Sequence, residues 1–214
     1  GLSMQYSTAL SDSLLAIACL ACLLAIGKLR SRTAEDQRPG LFCMQMGFAL
    51  PLAAAVVGAL RFGLMPDLSE MHGWLSRASS LLGLPLLGLA ALCLGRQWHW
   101  SGPTWGRLLL GLCAFFELFR QLGWLDEYRM GVQLGSLLLI VYAGWMQWPQ
   151  RLPLLLALAV TALFGLAGLV IGTEGSMGWF LRIDLFHALL ALAYPLLAWL
   201  LIRLAGLYSR AKAL

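Results

Sequence analysis

The sequence predicts an all-α protein, a single transmembrane bundle of seven helices with its N-terminus outside and its C-terminus in the cytoplasm. Three observations carry that expectation. The 214 residues are 60% hydrophobic and 12% charged, against about 25% charged in a soluble domain, and the mean hydropathy is +0.79. The apolar residues fall into seven stretches, each long enough or nearly so to cross a hydrocarbon core of about 30 Å at about 1.5 Å per residue. Short linkers join the stretches, and the basic residues gather at one end of them.

The stretches span 8–29, 41–65, 74–95, 105–124, 131–148, 152–172 and 180–205. The first opens on TALSDSLLA and lacks the basic start and cleavage site of a secretory signal; Gly1–Leu2–Ser3 reads as an expression remnant before a native start at Met4. The second, third and seventh contain Pro51, Pro85 and Pro195, which predict kinks or freed carbonyls. The fourth and fifth are the shortest. The sixth places Gly165, Gly168 and Gly172 on one face, a spacing that permits close helix approach. No domain boundary or repeat interrupts them, so one domain covers 1–214.

Charge sets the orientation. Lys28, Arg30, Arg32, Arg38, Arg96, Arg107, Arg151, Arg203, Arg210 and Lys212 fall on one side of a seven-span chain, and Arg61, Arg77, Arg120, Arg129 and Arg182 toward the other. The richer side is the cytoplasmic one. This pattern accounts for a pI near 9.2 without nucleic acid, since no basic stripe with interleaved aromatics occurs. Trp98, Trp100, Trp105, Trp145, Trp148 and Tyr208 read as an inner interfacial belt, and Trp74, Trp124 and Trp179 as an outer one. The five cysteines lie in apolar runs. Cys19 and Cys22 have redox or metal spacing but sit in LLAIACLACLLAIG, where small packing residues are expected. The setting is a bacterial-type cytoplasmic membrane, with membrane lipids as the immediate partners.

Polar groups inside such segments are costly and therefore mark candidate function. They cluster in the outer half. Asp12 and Thr8 share a face of the first segment, and Arg61 ends the second. His72 and Arg77 bracket the entry to the third, from which Ser76, Ser79 and Ser80 continue a polar patch inward. Glu117 lies in GLCAFFELFRQLGW with Arg120 at i+3, where a carboxylate must face the interior or pair with that arginine. In the last segment Asp184 precedes His187 by one turn on one face, continued by Tyr194. An aspartate beside a histidine orients the ring, raises its basicity or shares a metal with it. His187, Asp184 and Glu117 are thus the catalytic candidates. Asp12, Arg61, His72, Arg77, Arg120 and Tyr194 are the ligand-binding ones, and His187, His72 and Asp184 the candidate metal set. His72 and His187 are also the pair that a bis-His haem would need, while His99 reads as an inner interfacial residue. No phosphate-binding glycine loop, nucleophile elbow or HExxH motif is present.

The string DLFH at 184–187 resembles the terminal helix of the alkaline ceramidases, members of a superfamily of seven-helix membrane hydrolases that includes the adiponectin-type receptors. TALSD at 8–12 and GALRFG…P…H…LSR at 58–77 resemble a bacterial seven-helix membrane family of unassigned activity related to it. The resemblance implies a zinc ion on three histidines, with a Ser and an Asp nearby, activating water against a lipid amide. His187 matches one histidine of the terminal HxxxH; Ala191 stands at the other, and Arg61 lies near the expected second-helix Ser-x-x-x-His, so the three-His site is incomplete. Three expectations stay open: a ceramidase-like membrane hydrolase, a lipid- or anion-binding sensor or small transporter, and an assembly subunit with internal salt bridges.

Overall fold

The computed structural model describes residues 5–213; the remnant read at Gly1–Ser3 and the start at Met4 lie outside them. The order is α1 (Tyr6–Gly27), α2 (Arg38–Gly63), α3 (Ser69–Ala78), α4 (Leu84–Arg96), α5 (Gly102–Leu122), α6 (Leu125–Trp145), α7 (Arg151–Gly165), a hairpin of β1 (Ser176–Met177) and β2 (Phe180–Leu181), and α8 (Arg182–Ala213). A π turn at Ser79–Gly83 joins α3 to α4 as one rod, and a second, Leu166–Ile171, extends α7. Seven helical rods result among the described residues, in the order the seven stretches predict.

Five stretches are long and apolar enough to cross a membrane: Tyr6–Arg32, Glu35–Gly63, Pro66–Arg96, Arg151–Ile171 and Arg182–Ala213. Large apolar side chains such as Leu10, Ile17, Leu110 and Leu138 face outward, two-thirds exposed or more. That is the surface a lipid solvent allows and water penalises. The chain is therefore a helical membrane protein. The two remaining rods, α5 and α6, are each 21 residues but carry charge and amide groups within them. In α5 these are Arg107, Glu117, Arg120 and Gln121, and in α6 Asp126, Glu127, Arg129 and Gln133. Helix α5 is peripheral, with Trp105 its one buried residue among those described.

The core runs between α1, α2, α4, α6, α7 and α8, where Ile26, Phe48, Leu86, Leu87, Ile140, Leu197 and Leu201 are fully buried. Cys19 and Cys22 are buried there as free thiols, as the packing reading expects. Close approach comes from glycines other than those the sequence singles out. A Cβ on Gly88 would lie 2.9 Å from Ser136 O, which brings α4 against α6. The Gly165 and Gly168 positions meet nothing within 4 Å; Gly168 instead lines a cavity, and Gly172 ends the rod at φ +69°. Pro85 has no N–H for the carbonyl of Leu81, and the rod passes just ahead of it in the first π turn. Trp105, expected in the interfacial belt, is 3% exposed and packs on Trp100, whereas Trp74, Trp124 and Trp179 do face outward. The hairpin was not legible as strands. Its two-residue turn starts at Gly178 with φ +67°, the left-handed value such a turn requires.

Candidate functional site: a buried Asp–His centre on a cavity wall

Four rods deliver the centre. The start of α1, the end of α2 and the α3–α4 rod meet α8 at one end of the bundle. There Gln5 N–H donates to Phe62 O at 2.9 Å, fixing where α1 begins. One turn on, Thr8, Ser11 and Asp12 point inward. Asp12 is 1% exposed, His187 4% and His72 9%.

The two histidines turn their Nε2 atoms toward the two oxygens of Asp12. His187 Nε2 lies 3.2 Å from Oδ1; His72 Nε2 lies 4.0 Å from Oδ2. Oδ2 is buried with no hydrogen-bond partner, although Asp12 lines a cavity of about 300 Å³. Gly58 makes the arrangement possible, since a methyl group there would fall on the Asp12 carboxylate and 2.7 Å from His72 Nε2.

Each histidine is held from behind. His187 Nδ1 lies 2.9 Å from Ser11 Oγ, which in turn lies 3.1 Å from Asp184 Oδ1. Asp184 thus acts on His187 through a serine rather than directly. The four groups lie in the order Asp12, His187, Ser11, Asp184, with Asp12 and His187 at ion-pair distance and the rest joined by hydrogen bonds. His72 Nδ1 lies 3.0 Å from Arg61 Nη1. A guanidinium only donates, so Nδ1 accepts and the ring proton resides on Nε2, facing Asp12 and the cavity. Arg61 is therefore a ring-orienting group and does not snorkel.

The cavity is otherwise mainly apolar, walled by Leu15, Pro51, Ala54, Leu84, Leu137, Phe164, Phe186 and Leu190. Its polar lining is Ser76, Ser79, Ser80, Arg77, Arg129, Gln133 and Thr173, with Tyr194. Tyr194 is wedged edge-on against Phe48 and Phe164. Ser76 is exposed, so the cavity reaches the surface.

Of the residues singled out in the sequence, Asp12, Arg61, His72, Asp184 and His187 converge, and Arg77 and Tyr194 line the same cavity. Glu117 and Arg120 do not. They form a bidentate pair on α5, with side chains 47% and 54% exposed. Glu117 is satisfied by Arg120 and by Gln121 at 3.0 Å, which removes it from the catalytic candidates. Arg182, next to the site in sequence, donates to Ile171 O at 3.0 Å and closes the end of the second π turn. Sequence reasoning missed Ser11, Gly58, Arg129 and Gln133. Ser11 and Gly58 leave no periodic signal. Arg129 and Gln133 do, as an i, i+4 polar pair in an apolar helix.

A three-histidine zinc centre does not fit these residues. Ala191 supplies no ligand, His72 presents an N–H rather than a lone pair toward Asp12, and Asp184 stands behind Ser11. Among the described residues no group of three or more His, Cys, Asp or Glu is placed to hold a metal ion. A bis-His haem fits no better, because the Asp12 carboxylate stands at both Nε2 atoms. The chain matches no known family model, no curated protein and no solved structure.

Proposed function

We propose that this is a membrane-embedded hydrolase that cleaves an acyl linkage, ester or amide, of a lipid lodged in the cavity. The observation supporting this most directly is the free Oδ2 of Asp12. It is a buried, unpartnered acceptor in a residue that lines the cavity, while its sister oxygen lies 3.2 Å from His187 of a hydrogen-bonded His–Ser–Asp chain. A buried acceptor without a partner costs about 1–3 kcal/mol. Water or a substrate hydroxyl at that position offsets the cost and places a transferable proton beside a base.

In this reading Asp12 takes a proton from water as the water oxygen attacks the acyl carbon. A C–O bond forms and the carbonyl electrons move onto oxygen. His72 Nε2–H, held in that tautomer by Arg61, is the donor available to the developing oxyanion. Collapse breaks the bond to the leaving alcohol or amine, which leaves with the proton held at Asp12. His187 shares a proton with Oδ1, and Ser11 and Asp184 fix its ring. The resemblance to membrane ceramidases agrees with this reaction class, though not with their zinc. The distribution of basic residues supports a location of the centre in the outer half of the membrane.

The test is release of fatty acid, by mass spectrometry, from ceramide, diacylglycerol and phospholipids presented to the purified protein in nanodiscs. The wild type is expected to hydrolyse at least one class, with Asp12→Asn and His187→Ala each lowering the rate about 100-fold or more. Equal release by Asp12→Asn and wild type overturns the reading.

A further inference from the structure

Two cations in the cavity are unused by the chemistry above. Arg77 and Arg129 line it, and Asp12 is the one acid among the lining residues. Neither arginine forms an ion pair among the described residues. The Arg129 Nε–H is buried with no hydrogen-bond partner, in a side chain that is half-buried overall. The Arg77 guanidinium lies 5.1 Å over the Trp74 ring, a contact to its face that leaves the in-plane N–H groups available. An unpaired guanidinium on a mainly apolar cavity wall is costly unless something anionic meets it. The spare charge here is positive, the walls are mainly hydrocarbon, and beside the acceptor on Asp12 the cavity holds an unsatisfied donor, the Arg129 Nε–H.

We propose that the cavity takes a lipid whose head group carries a phosphate, bound by Arg77 and Arg129. The guanidinium fork matches phosphate oxygens in pairs. The apolar lining suits the first part of the acyl chains, and Gln133, one turn from Arg129, adds a further amide donor. The inference rests on the hydrolase reading for the presence of a substrate in this cavity, but it concerns binding and is measured separately. It shifts the expected substrate from a neutral ceramide to an anionic glycerolipid or its phosphorylated sphingoid counterpart.

Calorimetric titration of the Asp12→Asn protein in detergent avoids turnover. The probes are dioctanoyl phosphatidic acid, dioctanoylglycerol and inorganic phosphate. Phosphatidic acid is expected to bind at least tenfold more tightly than dioctanoylglycerol. Arg129→Gln, made in the same background, is expected to remove that preference and Arg129→Lys to keep part of it. Arg77→Gln serves as the second variant should Arg129→Gln melt before titration. Binding of inorganic phosphate as tight as that of phosphatidic acid assigns the anion to the aqueous phase and overturns the lipid source. Equal affinity for the neutral and anionic lipids, or an unchanged preference in both glutamine variants, overturns the site. Failure of the hydrolase reading shows up differently, as no fatty acid released from any lipid by the wild type while the binding preference persists.

Discussion

Ser11 has one hydroxyl proton and three acceptors within reach: Thr8 O at 3.1 Å, Asp184 Oδ1 at 3.1 Å and His187 Nδ1 at 2.9 Å. Its rotor therefore sets the tautomer of His187. If Ser11 donates to Asp184, Nδ1 carries a proton toward Ser11, and the proton between Nε2 and Asp12 becomes the mobile one. If Ser11 donates to Nδ1, Nε2–H donates to Asp12. Removing the hydroxyl uncouples these states. Ser11→Ala and Asp184→Asn, which act only through His187, are expected to cut the hydrolytic rate by about ten- to a hundredfold, below the roughly 10²–10⁴-fold contribution of a general acid–base group itself. Glu117→Gln, which breaks only an exposed pair, is expected to leave the rate within about twofold; rates from the nanodisc assay decide it. The sequence pointed to Asp184 and His187 through their one-turn spacing. It could not reveal Ser11, because the contact joins residues 173 and 176 positions apart, and neighbouring Ser and Asp residues near a helix start ordinarily read as a cap. Glu117 is the most demanding position in the sequence, but its helix lies at the edge of the bundle, and that position depends on packing.

At the scale of elements, glycine placement decides which rods touch. Gly58 makes room for Asp12 and His72, and Gly88 lets α4 rest on the Ser136 backbone. Overpacking at such contacts costs about 1–3 kcal/mol. Gly58→Ala and Gly88→Ala are therefore expected to lower the melting temperature in detergent by several degrees, with Gly58→Ala also abolishing hydrolysis. Gly168→Ala, which meets open space, is expected to fold with an unchanged melting temperature. A thermal scan following a thiol-reactive dye on the buried cysteines reports all three. The sequence suggested the reverse ranking, since G-x-x-x-G spacing is visible in the sixth stretch whereas the partners of Gly58 and Gly88 lie on other helices. Rod existence was far easier to read than rod contact. Every apolar stretch became a helix, and the π turns and the Gly178 hairpin were the local features without a periodic signature. Helix α6 starts at Leu125, ahead of the apolar stretch from 131, because Asp126, Glu127 and Arg129 in its first turns break the apolar run.

For the whole molecule, a lipid-facing exterior surrounds a core whose buried acid and histidines, Asp12, His72 and His187, gather at one end. Two acids, two histidines and Arg61 are drawn together from α1, α2, α3 and α8, while the cavity beside them adds Arg77 and Arg129 with no acid of their own. Internal salt bridging alone would leave neither a free carboxylate oxygen nor unpaired guanidinium groups on a cavity wall. A pure binding protein would have no use for the serine-coupled histidine behind Asp12. Hydrolysis by a water that Asp12 deprotonates accounts for both. The most direct measurement is hydrolysis of phosphatidic acid in water enriched in oxygen-18, with the released fatty acid weighed by mass spectrometry for wild type and Asp12→Asn. The expected result is one heavy oxygen in the fatty acid from the wild type and no release above background from Asp12→Asn. Fatty acid released by the wild type without the label, or labelled fatty acid released equally by Asp12→Asn, would contradict the assignment of Asp12 as the base.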